Sequence, residues 1–560
     1  MRFTSLMPGA LGVALLLSSC APAATPAAAP ASSAPQPAVA TPAPGATAPA
    51  APKPAATQPR RGGTLRIMTA GEPALWDPHQ ATSRNNEVWS FVTNTLVYVS
   101  DQTQEVQPVL ATEWKYIDDK TLVVSLQRGV KFHNKSPVNS REMTATDVIY
   151  SLTRIRTGKP APRSGQFAPV SEIKALDDYT IQVSLKEPFA PLVSYLGDSM
   201  NVIVPKEAIE KSGDFNRPED AVGTGPFIMT SYTPDVGGKM LRNASYFVPG
   251  RPYVDSVEII AVKDRAAMMG LYRTGNLDLG TGSRGALTGE EKANLQRTNP
   301  DIILVPQPTA YVYQLLLNLK KEPFTDVRVR KAFHLAIDRT ATLQAVVGGS
   351  GDISGPLSPR LFPQVAIPTQ QLLTMPGYRN PKDQDIAEAK RLLTEAGYPN
   401  GLAIKGEGTE RVGILNLLPL EAAVSQLAKI NVKMQIDVMD DTPFRKMEED
   451  RTFLIRARGH AVSIEPDDIL YTLYHTKGAR NYGSFSDPEV DKLIEAQRRT
   501  LDATKRKEIL LQAQQRILEL VPRIAMFSGN DFAVVQPWLH NVEPGPRNYF
   551  GRTDVVWLGR

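Results

Sequence analysis

With 560 residues the chain is too long for one hydrophobic core and calls for two or more lobes. Charged residues make up 22%, hydrophobic ones 42%, and the net charge is only +5, the balance of a soluble globular protein without the dense Lys/Arg stripe that nucleic acid requires. A single cysteine and six scattered histidines, with no HExxH or HxH pair, exclude a disulfide framework and a multi-cysteine metal site, so no metal or cofactor is expected.

The N-terminus sets the compartment. Arg2 precedes an apolar run, Leu11-Gly12-Val13-Ala14-Leu15-Leu16-Leu17, too short to span a bilayer but suited to the h-region of a secretory signal over residues 1–19. The run ends in Leu17-Ser18-Ser19-Cys20, which resembles a bacterial lipobox and predicts lipidation of Cys20. Residues 20–61 are then almost entirely Ala, Pro, Ser and Thr, with Lys53 charged and Arg60 and Arg61 near the end. They bury too little apolar surface to offset chain entropy. As a polyproline II tether, forty such residues reach up to roughly 120 Å.

Order begins near Gly62. Gly63 to Met68 alternates like a strand, and a loop follows through Ala70-Gly71-Glu72-Pro73 and Trp76-Asp77-Pro78. Residues 87–96 are expected to form a short helix, Thr121–Leu126 a strand, 148–155 a helix opened by Thr144 and Asp147, and 179–185 a strand. A strand over 257–262 leads to a helix over Arg265–Arg273. The apolar spacing of Val329, Ala332, Phe333, Ala336 and Ile337 predicts one helix over 328–340. Ile386, Ala389, Leu393 and Ala396 predict another, with Gly397 at its C-cap. A helix over 417–427 and a strand over Val432–Val438 complete an interleaved pattern, the signature of an α/β protein.

Several segments in order are similar to family 5 of the bacterial extracellular solute-binding proteins, the dipeptide- and oligopeptide-binding group. They are Leu110-Ala111-Thr112-Glu113-Trp114, then Leu126-Gln127-Arg128-Gly129-Val130, Gly223-Thr224-Gly225-Pro226-Phe227, Asn243-Ala244-Ser245-Tyr246, Pro323-Phe324-Thr325-Asp326-Val327-Arg328 with Ala336-Ile337-Asp338-Arg339, and Asp487-Pro488-Glu489-Val490. The resemblance covers the chain from about Gly62 onward. It implies a two-lobe periplasmic-binding-protein-like fold (type II, cluster C) with an extra small inserted domain. The expected boundaries are 62–100, 222–308 and 529–560 for the first lobe, 101–221 for the insert and 309–528 for the second lobe. The glycines of the GTGPF segment suit a turn where backbone passes close to backbone. Asp326, Arg328, Arg330 and Asp338 read as capping and salt-bridged scaffold.

The resemblance also implies a function: a monomeric, lipid-anchored binding protein in the periplasm or cell envelope that hands a peptide-like solute to ABC permease and ATPase subunits. Relatives hold the ligand α-ammonium with the aspartate of a Gly-Trp-x-x-Asp stretch. Here His460 stands at the tryptophan position and Ser463 at that of the aspartate. A buried ammonium without an anion is costly, so Glu465 or Asp467 would have to substitute, or the cargo lacks a free N-terminus. Arg411 is the candidate for the ligand carboxylate, since a guanidinium fork binds it through two parallel hydrogen bonds. Arg456 and Arg458, spaced i, i+2, share a strand face that His460 continues, and an anionic ligand would explain that face as well as a solvated one does. Glu72, Trp76, Tyr311 and Tyr313 are candidate walls. No GxSxG, P-loop, GxGxxG or SxxK signature is present, so no enzymatic activity is expected. A non-peptide cargo such as an anionic small molecule or metal chelate, a ligand sensor and, remotely, a secreted hydrolase are the alternatives.

Overall fold

The computed structural model describes residues 58–69, 75–81, 88–213, 215, 217–280, 287, 289–410, 416–461, 463–545 and 552–560, and the side chains of 310, 460 and 461 lie outside the description. These residues belong to the unit Gln58–Arg560, which separates from Met1–Thr57. Cys20, Glu72 and Arg411 lie outside the described residues.

Two long strands organise the molecule. The main sheet contains β1 (Thr64–Thr69), β2 (Phe227–Thr233), β3 (Gly237–Arg242), β4 (Ser256–Ala261), β5 (Leu279–Gly280), β6 (Ile303–Leu317), β7 (Leu402–Gly408), β8 (Val432–Val438), β9 (Ile455–Ala461) and β10 (Arg523–Val535). Their spatial order is β8-β7-β9-β6-β10-β5-β1-β4-β3-β2. β6 and β10 are antiparallel along most of their length, from Ile303 opposite Val535 to Leu316 opposite Arg523, and the register breaks between the pairs Pro308–Asn530 and Val312–Ser528. Pro306 and Pro308 lack the N–H that a continuous ladder needs. On one side of this break β10 pairs with β5, and on the other β6 pairs with β9.

Apolar side chains gather separately on the two sides. One buried cluster runs from Leu65, Ile67 and Ile259 to Ala533 and Val535. A second joins Tyr313, Leu315 and Leu317 to Phe333, Leu427, Ile455, Ala457 and Phe527. Residues 101–221 carry an antiparallel sheet of Ala111–Asp118, Thr121–Leu126, Thr180–Leu185 and Val170–Asp177. Leu122, Val124, Leu152 and Val183 from this region merge into the first cluster, so the insert has no separate core. The helix Ala145–Thr157 opens with the expected capping box between Thr144 and Asp147.

The GTGPF turn shows why glycine is needed there. A Cβ on Gly223 would lie 2.3 Å from the Val92 carbonyl oxygen, and one on Gly225 2.3 Å from the Val92 carbonyl carbon. Gly397 follows the helix Asp383–Glu395 at φ +94°. The helix expected over 328–340 is instead two, Val327–Ala336 and Arg339–Val347. Asp338 ends the run, because its carboxylate accepts from the Ala341 N–H at 2.9 Å and caps the second helix. Asp326 caps the first in the same way, accepting from the Arg328 N–H at 2.7 Å.

Candidate functional site

The strand directions locate the site. As β5 advances from Leu279 to Gly280, its partners on β10 run back from Val535 to Val534, toward the break at Asn530. β1 and β4 run parallel to β5 and to each other. From the other side, β9 advances from Ile455 opposite Leu317 to Ala461 opposite Tyr311, again toward the break, and β7 and β8 run parallel to it. Both sets of parallel strands therefore aim their carboxyl ends at one level, where β6 and β10 cross between the two halves. Open α/β sheets bind ligands beyond the carboxyl ends of their strands, where the strand order reverses.

Polar groups line the floor at this level. Gln307 and Asp531 are cross-strand partners, so their side chains share one face. That face continues as Val305–Ala533 and Ile303–Val535, which makes Asp531 the polar end of an apolar row. Burial pushes the Asp531 carboxyl up to about 6, and no charge among the described residues opposes the shift. β5 ends at Gly280, opposite Val534, so it does not reach Asp531, which is partly exposed. Gln307 is only 3% exposed, and its Nε2 has no hydrogen-bond partner. Burial raises the Tyr313 phenol, and the Asp531 charge adds to that rise. Neither Asp531 nor Gln307 stands out in the sequence reading; the available signal was a polar Asn530-Asp531 break in an otherwise apolar strand.

The residues singled out from the sequence separate into groups. Tyr311 is half-buried, and its carbonyl accepts from the Ser528 and Thr309 hydroxyls at 3.1 Å each. Tyr313 is buried and stacks on Phe527 at 4.5 Å. Trp76 meets Tyr232 edge-on at 5.0 Å, and its carbonyl accepts from the Trp89 indole at 2.6 Å. The loop carrying Trp76 is clamped by Asp77, which receives two hydrogen bonds from the Arg154 guanidinium. The backbone of His460 pairs with Val312. Ser463 is buried and its hydroxyl accepts from the Glu465 N–H at 3.5 Å.

Glu465 and Asp467 sit in a closed network. Glu465 caps the helix Pro466–Tyr474 and pairs with Arg506. Asp467 takes the Gln497 amide and the Arg498 guanidinium, the latter at 3.3 Å. Burial drives the Asp467 carboxyl upward while Arg498 pulls it down. The network abuts the insert: the Arg498 carbonyl accepts from the Ala190 N–H at 2.8 Å, and Arg499 pairs with Glu187 at 2.7 Å. Ile464 joins the apolar cluster of the first half.

Arg456 and Arg458 do share a strand face, yet Arg456 is buried and Arg458 only part-exposed, and both are answered by an acid. Both lie against Glu448, Arg458 in direct contact and Arg456 at 3.7 Å. Arg456 is 1% exposed and stacks on Phe444 at 3.6 Å. Burial holds both Arg456 and Arg523 down to about 10. Arg458 lies opposite Gln314, three positions back along β9 from Ala461, or about 10 Å from the strand end at 3.3 Å per residue.

Among the described residues no group of three or more His, Cys, Asp or Glu could hold a metal ion, and no helix is long and apolar enough to cross a membrane. A family model described as "Bacterial extracellular solute-binding proteins, family 5 Middle" matches residues 105–481. The chain is 26% identical to Heme-binding protein A of Haemophilus influenzae, over 87% of this chain and 91% of that protein. It is also 26% identical to the Dipeptide-binding protein of Escherichia coli, over 88% and 94% respectively. The solved structure of HbpA2 from Haemophilus parasuis superposes with a TM-score of 0.76 at 22% identity, covering 89% of this chain and all of that one. The two-lobe fold follows from that superposition.

Proposed function

The chain belongs to family 5 of the bacterial extracellular solute-binding proteins, and on that premise we propose that it captures a peptide-like or other carboxylate-bearing solute between its lobes and delivers it to an ABC permease. One observation carries this reading: strands from both halves point their carboxyl ends at the level where β6 and β10 cross. The lobes assigned here are 62–100, 222–308 and 529–560 for the first, with 101–221 inserted, and 309–528 for the second. The register break at 308–312 and 528–530 supports these boundaries, because a β6–β10 ladder interrupted there can absorb the dihedral change of a hinge. A lipid on Cys20 and the tether after it moor the protein outside the cytoplasm.

The relatives named above carry different cargo in their names, haem and a dipeptide, so the cargo must be read from this chain's own side chains. Glu465, Asp467 and Arg458 already have internal counter-ions, and we assign them to the scaffold. Ser463 supplies no anion. Trp76 and Tyr311 serve as walls, and Tyr313 as core beneath them.

The test is calorimetry and thermal melting of the full-length protein with free di- and tripeptides, their N-acetylated forms and small carboxylates. A true ligand at a hundredfold excess over Kd stabilises the fold by about 2.7 kcal/mol and is recovered chemically unchanged. Turnover of the ligand, or no shift with any member of the panel, counts against the reading. Intact-mass analysis of the envelope-derived protein should place diacylglycerol on Cys20.

A further inference from the structure

We propose that Asp531, with the Gln307 amide opposite it, is the anchor for a cationic group of the solute, the ammonium of a primary amine, on the floor of the cleft. The proposal rests on the solute-binding reading above and deepens it by naming one end of the ligand.

Three observations converge on this position. First, Asp531 is held against the last residues of the β6–β10 ladder before its register breaks, at the level where both sets of strands end. Second, no ion pair or side-chain hydrogen bond involving its carboxylate is found among the described residues, in contrast to Glu465, Asp467, Asp77 and Glu448, each of which has an arginine partner. Third, Gln307 is only 3% exposed, and its Nε2 donor has no hydrogen-bond partner among the described residues. A buried amide donor left unmade costs free energy, and a carboxylate desolvated by apolar neighbours without a cation does so as well. A bound group answers both: an ammonium gives the carboxylate its charge partner and hydrogen bonds, and a ligand carbonyl beside it accepts from Gln307. An amine next to a carbonyl is the N-terminal end of a peptide-like solute.

Position supports the assignment. Ser463, where relatives place the ammonium-binding aspartate, is turned to the Glu465 N–H. Asp531 reaches the cleft from the crossing strand instead, so the anion is supplied by a different element of the fold.

The experiment compares wild-type full-length protein with Asp531→Asn, an isosteric change that removes the charge. Binding is measured by calorimetry against free-amine di- and tripeptides and their N-acetylated counterparts. The expected result is that wild type prefers the free amine, that Asp531→Asn loses about 10- to 100-fold in affinity for it, the range for a charged hydrogen bond, and that binding of the acetylated peptide is unchanged. The apo melting temperature of the variant should equal or exceed that of wild type, since a desolvated charge has been removed; this also establishes that the variant is folded. Equal affinity of wild type and Asp531→Asn for the free amine overturns the assignment and leaves the solute-binding reading standing. Preference of wild type for acetylated peptides or simple carboxylates overturns it likewise. Absence of binding by every peptide and carboxylate removes both together.

Discussion

Two acidic regions, one buried and one half-buried, differ in one respect. Around Glu465 and Asp467 every carboxylate has its arginine, Arg506 and Arg498, and a glutamine completes the set. At the crossing of β6 and β10, Asp531 has none among the described residues. The first arrangement fixes how the second half meets the insert. The second leaves electrostatic capacity unused, which a fold retains only where something else fills it. Burial alone therefore does not mark a ligand residue; the absence of a charge partner is what singles out Asp531 as the proposed anchor.

This contrast can be broken most severely at the paired region. Arg506→Met leaves Glu465 buried and uncompensated, and should cost about 3–5 kcal/mol in urea unfolding. A loss under 1 kcal/mol would mean that the network is not a closed scaffold.

The unpaired region should respond more weakly and with a characteristic pH dependence. Burial pushes the Asp531 carboxyl up to about 6 from the ordinary 3.8. Because the folded state holds the proton more tightly between these values, apo stability should fall as pH rises from about 4 to 6, by on the order of 1–2 kcal/mol. Gln307 lies opposite it on β6 and the Tyr313 phenol, itself raised by burial, feels its charge; Lys292 sits on the ring of the adjacent Phe532. Asp531→Asn should make that part of the profile shallower, leaving the contribution of the raised Asp467 carboxyl in place. A profile identical to wild type would show that Asp531 is solvated.

The smallest effect is expected where a pair is exposed. Arg445 lies on the surface 2.8 Å from Asp441, and Arg445→Ala should change stability by less than about 0.5 kcal/mol. If it costs as much as Arg506→Met, solvent does not separate the two classes of ion pair as argued.

Much of the scaffold was legible from local signals. The strand at Thr121–Leu126, the capping box at Thr144 and Asp147, the glycines of the GTGPF turn and the helix ending before Gly397 depend on a few neighbouring residues. The single helix expected over 328–340 failed where apolar spacing continued through a capping aspartate. The site was less legible. Arg456 and Arg458 looked like an open cationic face because their counter-ion, Glu448, arrives from the helix Asp441–Glu449, and nothing in the strand announces it. Glu465 and Asp467 stood as possible substitutes for the missing anion, and the Arg506, Arg498 and Gln497 that pair with them come from later helices.

Sequence alone thus determined the α/β class, the Ala/Pro-rich composition of residues 20–61 and the family resemblance, since each is written in contiguous residues or in their spacing. Only the tertiary structure decided which charges are answered. Whether a carboxylate finds a cation depends on elements far apart in the chain, as Gln307 meets Asp531 across β6 and β10, and the low dielectric that makes an unanswered charge costly exists only once the lobes have folded around it.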